Sequence, residues 1–226
     1  MVKLNIGCGP NFFPFDGWIN YDKEDFTTYA EWLRNADPSW TPGNQKNLVN
    51  YIQGGGAIDF RKQDLRAGFP QHADGSVDAI YLGQMIEHIN PMCEAPKFIG
   101  ECRRMLRPGG VLRIATPDLE LLINAYNNGE MGRFSSEQPE FYTSMDAGSQ
   151  LAYLMFGSAG EKCTWDNYEG HMFLYSRKSM ETCLSNAGFQ PPFFFYSEQG
   201  QSTDMALAKE VFDAGMTHSF IAEAVR

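Results

Sequence analysis

Residues 3–22 constrain this chain most. Lys-Leu-Asn-Ile-Gly-Cys-Gly-Pro-Asn runs from 3 to 11, and after a short polar and aromatic bridge Gly-Trp-Ile-Asn-Tyr-Asp runs from 17 to 22. Val2, Leu4 and Ile6 alternate with polar residues and stop at Gly7, which predicts a strand ending in a glycine turn. Gly7 and Gly9 let the backbone turn tightly there and leave no side chain between chain and ligand. A second short strand, Trp18 to Tyr21, ends on Asp22. A carboxylate at the tip of the second strand of such a unit can accept hydrogen bonds from both hydroxyls of a ribose.

The spacing selects among nucleosides. A dinucleotide site needs a third glycine, G-x-G-x-x-G, so that a helix can pack under a pyrophosphate. That position is Phe12, and Pro10 and Pro14 disfavour a regular helix directly after the turn. A nicotinamide oxidoreductase is therefore disfavoured, and no Gly-Lys-Ser/Thr marks a P-loop. A ligand with a ribose but no phosphate remains, and S-adenosylmethionine is the obvious candidate.

A chain of 226 residues with 43% hydrophobic content suits one α/β domain with a full core. We therefore expect a single domain over 1–226, with insertions at about 23–56 and 130–170 that can form a lid. The formal charge of −10 argues against nucleic acid or an anionic membrane as partner, since both require a basic footprint. Arg103, Arg104 and Arg107 read as a solvated helix face. Five cysteines, an odd number without a C-x-x-C pair, fit reduced thiols of a cytoplasmic protein rather than a disulfide frame or a zinc site. No signal peptide and no long apolar run are visible.

Taken in order, Thr28 to Arg34 fits a short helix within an irregular stretch that Gly54-Gly55-Gly56 closes. Ala57 to Arg61 reads as a third strand running into Gln63-Asp64-Leu65. There a carboxylate and a free N–H can read an adenine edge. Val77 to Leu82 is the apolar run of a buried parallel strand, followed by Gly83-Gln84-Met85 and Glu87-His88. Ala95, Phe98, Ile99, Cys102, Met105 and Leu106 fall at helical spacing, with Pro108-Gly109-Gly110 as the stop. Val111 to Ala115 is a fifth strand. Asp118 caps a helix ending at Gly129, and Gln150 to Phe156 forms another. Ser176 caps a last long helix ending at Gly188. Phe193 to Tyr196 and an alternating Thr217 to Val225 supply two more strands, the second a hairpin partner. The alternation of strand and helix predicts a doubly wound, mostly parallel sheet.

These blocks resemble the class I S-adenosylmethionine-dependent methyltransferases, and most closely a small bacterial group in which Leu-Asn-Ile-Gly-Cys-Gly leads quickly into Gly-Trp-Ile-Asn-Tyr-Asp. Gln63-Asp64-Leu65, Val77 to Tyr81, Glu87-His88-Ile89, Arg103 to Gly110 and Ala187-Gly188-Phe189 follow in family order. The resemblance implies a Rossmann-like sheet of seven strands with the last antiparallel. By the same resemblance Gly7, Cys8, Gly9 and Asn11 lie along the methionine part of the cofactor. Asp22 would hold the ribose, Asp64 and Leu65 the adenine, and Gly83 with Gln84 would flank the sulfonium. Many relatives place helices before the first strand to cover the cofactor. Here the expected cover is 23–56, 130–170 or another subunit, which leaves a homodimer open.

A sulfonium methyl is already activated, so the protein supplies alignment and exclusion of water, with a base for a hydroxyl acceptor. No metal is demanded and no ligand cluster stands out. Asp118 and Glu120 are explained by a helix cap and a solvated acid. His88, after the central strand, and His171, beside Tyr168 and Tyr175, are the candidate catalytic bases. The competing reading for each is a pocket-shaping or structural histidine. His72 and His218 receive no role, and Glu87 is expected to orient a neighbour. The aromatics of 134–175 can wall an acceptor pocket or form plain core. The expected reaction is methyl transfer to oxygen or nitrogen of a small-molecule or saccharide-linked acceptor, yielding S-adenosylhomocysteine. The alternative is a non-catalytic S-adenosylmethionine-binding domain with a regulatory or scaffolding role.

Overall fold

The structure, a computed structural model, describes residues 1–9, 11–25, 52–54, 57–138, 140–156, 170–198, 200–211 and 217–226. The helix expected at 28–34, most of the 23–56 stretch, and Trp165 and Tyr168 lie outside the described residues.

Seven strands form one sheet: β1 (Lys3–Ile6), β2 (Trp18–Asp22), β3 (Phe60–Lys62), β4 (Val77–Gly83), β5 (Leu106–Pro117), β6 (Phe194–Tyr196) and β7 (Ser219–Val225). Their order across the sheet is β3-β2-β1-β4-β5-β7-β6. All neighbours from β3 to β5 pair parallel, while β7 runs antiparallel to both β5 and β6. The chain starts near the middle of the sheet, works outward through β2 to β3, then crosses back to β4 on the other flank of β1. Strand order thus reverses between β1 and β4, and open α/β sheets bind ligands beyond the carboxyl ends of the strands at such a point. Gly7–Gly9 and Gly83–Gln84 both stand there.

Side-chain alternation divides β4 between two layers. Ile80 and Leu82 join Leu4 and Ile6 on one face, under α1 (Ala95–Met105) and α4 (Arg177–Asn186). Ala79 and Tyr81 face the other way, against Phe13, Trp18 and Leu207 of α5 (Met205–Glu210). The apolar spacing of α1 buries Phe98, Ile99, Cys102 and Met105 in the same core as Met180 and Leu184 of α4. Truncating Phe98 to Ala there would cost about 3–5 kcal/mol. The helices α2 (Leu119–Asn127) and α3 (Ala147–Phe156), with the 3₁₀ turns Met131–Glu137 and Glu140–Ser144, enclose a satellite core of Leu122, Met131, Phe134, Tyr142, Leu154 and Leu174. Phe134 and Tyr142 are therefore core residues and do not wall a pocket.

Three expectations shift. Helix α1 stops at Met105 and passes straight into β5, so Pro108-Gly109-Gly110 sits inside that strand. The register there jumps from Leu106 opposite Val77 to Val111 opposite Ala79. Strand β3 begins at Phe60 rather than Ala57, because this edge strand pairs with β2 over three residues only. Strand β7 is buried on both faces apart from a half-buried Val225, since it is inserted between β5 and β6, and α5 intervenes before it, so β6 and β7 do not form a tight hairpin.

Candidate functional site

The turn after β1 is closed by β2. Gly7 and Cys8 both donate their N–H groups to the Tyr21 carbonyl, at 2.8 and 3.1 Å, and Asn11 N–H donates to the Cys8 carbonyl at 2.9 Å. Gly7 and Gly9 have φ of +69° and +51°, a region that side chains with a Cβ disfavour. The Asp22 carboxylate accepts from Gly9 N–H at 2.8 Å and from Glu24 N–H at 3.0 Å. A Cβ built on Gly7 would overlap the Met85 side chain, whereas one built on Gly9 would meet none of the described residues within 4 Å. Among the described residues the space above Gly9 is thus open, beside the Asp22 carboxylate. Cys8 is buried, and burial together with the Asp22 charge pushes its thiol far up, so it fills a small slot and offers no nucleophile.

Two buried asparagines support this turn from below. Asn5 and Asn20 are register partners on β1 and β2. Asn5 Nδ2 donates to Asn20 Oδ1 and to the Asn11 carbonyl, each at 2.9 Å. Asn20 in turn holds both the N–H and the carbonyl of Phe13, at 2.8 and 3.2 Å. Sequence reasoning missed this pair. The available signal was an asparagine at each of two strand positions that must be covered.

The β3 end joins the same loop through Gln63 N–H, which donates to the Asp22 carbonyl at 2.7 Å. Asp64 is exposed, caps the 3₁₀ turn Leu65–Ala67 and accepts from Arg66 N–H at 2.9 Å. Leu65 beside it is half-buried. A groove of about 680 Å³ opens next to Leu65 against α1, lined by Arg66, Phe69, Lys97 and Phe98 among others, and its lining includes neither Gly9 nor Asp22.

At the end of β4, Gly83 is pressed against the Tyr81 ring, where a Cβ would come within 2.6 Å of ring atoms. Gln84 follows with φ +51°, the left-handed region, although it is not glycine. Its N–H bonds the Ala115 carbonyl at 2.8 Å and its amide reaches Ser219 Oγ at 3.0 Å. Such strain at a non-glycine residue gathers at functional sites.

The structure brings the two candidate histidines together. Glu87 and His88 lie in the 3₁₀ turn Ile86–His88, and His171 arrives from the segment leading to α4. The His88 and His171 rings stand 4.9 Å apart, edge to face. His88 Nδ1 lies 3.3 Å from the Gly170 carbonyl and His171 Nδ1 3.2 Å from the Met155 carbonyl. A ring nitrogen facing a carbonyl carries a proton and donates it. Glu87 is fully buried: Oε2 accepts from Thr116 Oγ1 at 3.0 Å, and Oε1 has no hydrogen-bond partner among the described residues. Its carbonyl accepts from Met172 and Phe173 N–H, at 2.7 and 3.2 Å, which ties the His171 segment to this turn. Burial raises the Glu87 carboxyl to about 8, partly offset by Thr116, while burial and then the neighbouring His88 lower His171 to about 4. Asp118 does cap α2, accepting from Glu120 and Leu121 N–H at 3.0 and 3.1 Å, and Glu120 is exposed.

A family model described as a methyltransferase domain matches residues 31–191. A curated protein of Mycolicibacterium smegmatis, named a probable S-adenosylmethionine-dependent methyltransferase, is 44% identical over 61 residues, which are 27% of this chain and 22% of that protein. The match thus spans about a fifth of that relative's length. Among solved structures, a SAM-dependent methyltransferase from Methanosarcina mazei superposes with a TM-score of 0.54 at 15% identity, covering 99% of this chain and 91% of its own. Another from Thermotoga maritima, described as a possible histamine N-methyltransferase, reaches 0.50 at 12% identity, over 99% and 81%. Similarity at this level of identity bears on the fold.

Proposed function

This chain belongs to the methyltransferase-domain family, and we propose that it uses S-adenosylmethionine to methylate an oxygen or nitrogen of a small-molecule or saccharide-linked acceptor. When bound, the cofactor supplies an electrophilic methyl on a sulfonium whose leaving group is a neutral thioether. The observation that carries this reading is the Gly9–Asp22 contact beneath open space. Gly7, Cys8, Gly9 and Asn11 would border the methionine part with backbone, and Asp22 the ribose hydroxyls. Asp64 and Leu65 would meet the adenine, with Gly83 and Gln84 near the reacting methyl.

The protein's contribution to catalysis is alignment and a dry pocket. His88 and His171 would be the bases that take a proton from the acceptor. Of the expected covers, most of 23–56 and residues 157–169 lie outside the described residues, and the satellite core around Phe134 and Tyr142 would be the firm base of the second. A formal charge of −10 disfavours a polyanionic acceptor. Cys8, Cys93, Cys102 and Cys183 are free thiols, and no helix among the described residues is long and apolar enough to cross a membrane; both fit the proposed cytoplasmic setting, where a homodimer stays open.

Calorimetric titration with S-adenosylhomocysteine tests the cofactor site directly. Transfer of labelled methyl groups into acceptors of a cell extract tests the activity. Tight binding with no transfer to any acceptor would favour a regulatory or scaffolding domain instead.

A further inference from the structure

We propose that Glu87, His88 and His171 form a divalent transition-metal site at the carboxyl edge of β4 and β5, with an open position that takes a hydroxyl oxygen of the methyl acceptor. The role given to the open position rests on the methyltransferase reading; the metal site itself does not.

Four observations converge. One ligand atom from each of the three side chains can be chosen so that all lie within 4.8 Å of one another. Glu87 Oε1, fully buried and without a hydrogen-bond partner among the described residues, lies 4.0 Å from His88 Nε2. Both imidazoles have Nδ1 near a backbone carbonyl, the kind of outer contact that orients a metal-bound histidine. Finally, the Glu87 side chain is itself held by Thr116, so each of the three donors has a supporting partner. A buried carboxylate oxygen left unsatisfied is costly, and a cation removes that cost.

The donor set selects the ion. Two imidazole nitrogens and one carboxylate suit Zn²⁺ and its first-row neighbours rather than Mg²⁺ or Ca²⁺, which prefer oxygen. Metal–ligand bonds of about 2.0–2.2 Å place tetrahedral donors about 3.4 Å apart, so rotations moving each donor by about an ångström close the set. Three protein ligands leave a position for water or substrate, as catalytic sites do. A hydroxyl bound there has its pKa lowered; its proton leaves to solvent and the oxygen remains on the ion as the nucleophile. This narrows the acceptor from oxygen or nitrogen to a hydroxyl compound.

The chain should be stripped with chelator and titrated with Co²⁺, following its visible bands, and with Zn²⁺ by calorimetry. One ion per chain is expected, with affinity at least 100-fold weaker in His88→Ala and in His171→Ala. Circular dichroism and S-adenosylhomocysteine affinity report whether each variant folds. Should either variant fail to fold, Co²⁺-loaded wild-type protein still decides the matter, since two paramagnetically shifted exchangeable imidazole N–H resonances are expected. Absence of Co²⁺ and Zn²⁺ binding, or binding that survives loss of both histidines, overturns the site. Chelation should lower methyl transfer to hydroxyl acceptors at least 10-fold, with recovery on Zn²⁺; insensitivity to chelator overturns the role given to the open position. Homocysteine-compound binding without metal defeats the metal site alone, whereas metal binding without it supports the site and defeats the methyltransferase reading.

Discussion

Asp22→Ala tests the proposed cofactor site most sharply, because one carboxylate is assigned two jobs there. In the free protein it accepts from Gly9 and Glu24 N–H, at 2.8 and 3.0 Å. Both N–H groups lie at the partly exposed end of the sheet and can turn to water, so their loss costs about 1–2 kcal/mol in all. That is a fraction of the roughly 5–15 kcal/mol of a typical domain, and the variant should stay folded. For the ligand the same change removes a charged acceptor from two ribose hydroxyls, at about 1.5 kcal/mol each or about 3 kcal/mol together. Affinity for S-adenosylhomocysteine should then fall by about 10²-fold, and further if the Gly9 turn loosens. Asp22→Asn keeps an oxygen for Gly9 N–H but gives up the charge, so it should fall between wild type and Ala. Titration calorimetry on all three proteins, with a melting curve for each, is the assay. A folded Asp22→Ala variant binding within about threefold of wild type would show that the ribose lies elsewhere, since a threefold change is well under one hydrogen bond to a charged group.

Other outcomes are expected. Gly9→Val should abolish cofactor binding, because its branched side chain enters the open space and φ is +51° there; circular dichroism should still show a folded chain, and measurable affinity would contradict the placement. His171→Ala should retain cofactor affinity and lose methyl transfer, and undiminished turnover would remove His171 from the site. Arg113 and Glu223 form a fully buried pair at 2.6 Å, and the Glu223 carboxylate also accepts from Ser202 and Thr203, so Glu223→Ala should destabilise by about 3–5 kcal/mol; a denaturant melt showing a loss below about 1 kcal/mol would refute this. His72, bonded to Tyr21 Oη at 2.9 Å, is held below the ordinary imidazole value by burial, Arg61 and Arg104. The unfolded chain therefore binds the proton first, and the stability that His72 contributes is complete above its unfolded pKa of about 6.5 and is lost as pH falls through the folded value. His72→Gln should flatten the acid side of the melting-temperature profile, and parallel profiles would refute this.

Much of the turn proposed to hold the cofactor was legible because it is local. Gly7, Gly9 and Asp22 lie within sixteen residues, and their spacing alone implied a turn closed by a second strand, as the Gly9–Asp22 bond bears out geometrically. Helices with two or more buried turns declared themselves by apolar spacing, and Asp118 and Ser176 cap theirs as expected. The six-residue α5 did not, since Leu207 and Ala208 are too few to show a period. The turns of 131–144 follow no simple repeat, and their apolar residues serve a separate core. The grouping of Glu87, His88 and His171 could not be read at all. It depends on two backbone bonds from Met172 and Phe173 to the Glu87 carbonyl, and no rule of spacing connects residues so far apart in the chain.

The position of β1 between β2 and β4 also orders events during synthesis. A nascent chain that has emerged only as far as Asp22 already carries the glycines and the acid, yet one long border of its first strand is bare. Val2 awaits Asp78, whose carboxylate and N–H both bind the Val2 backbone, and Gly7 awaits the shoulder of Met85. The proposed nucleoside site is therefore complete only when the fourth strand docks, so ligand capture by ribosome-bound intermediates would serve as a clock for completion of the sheet's centre.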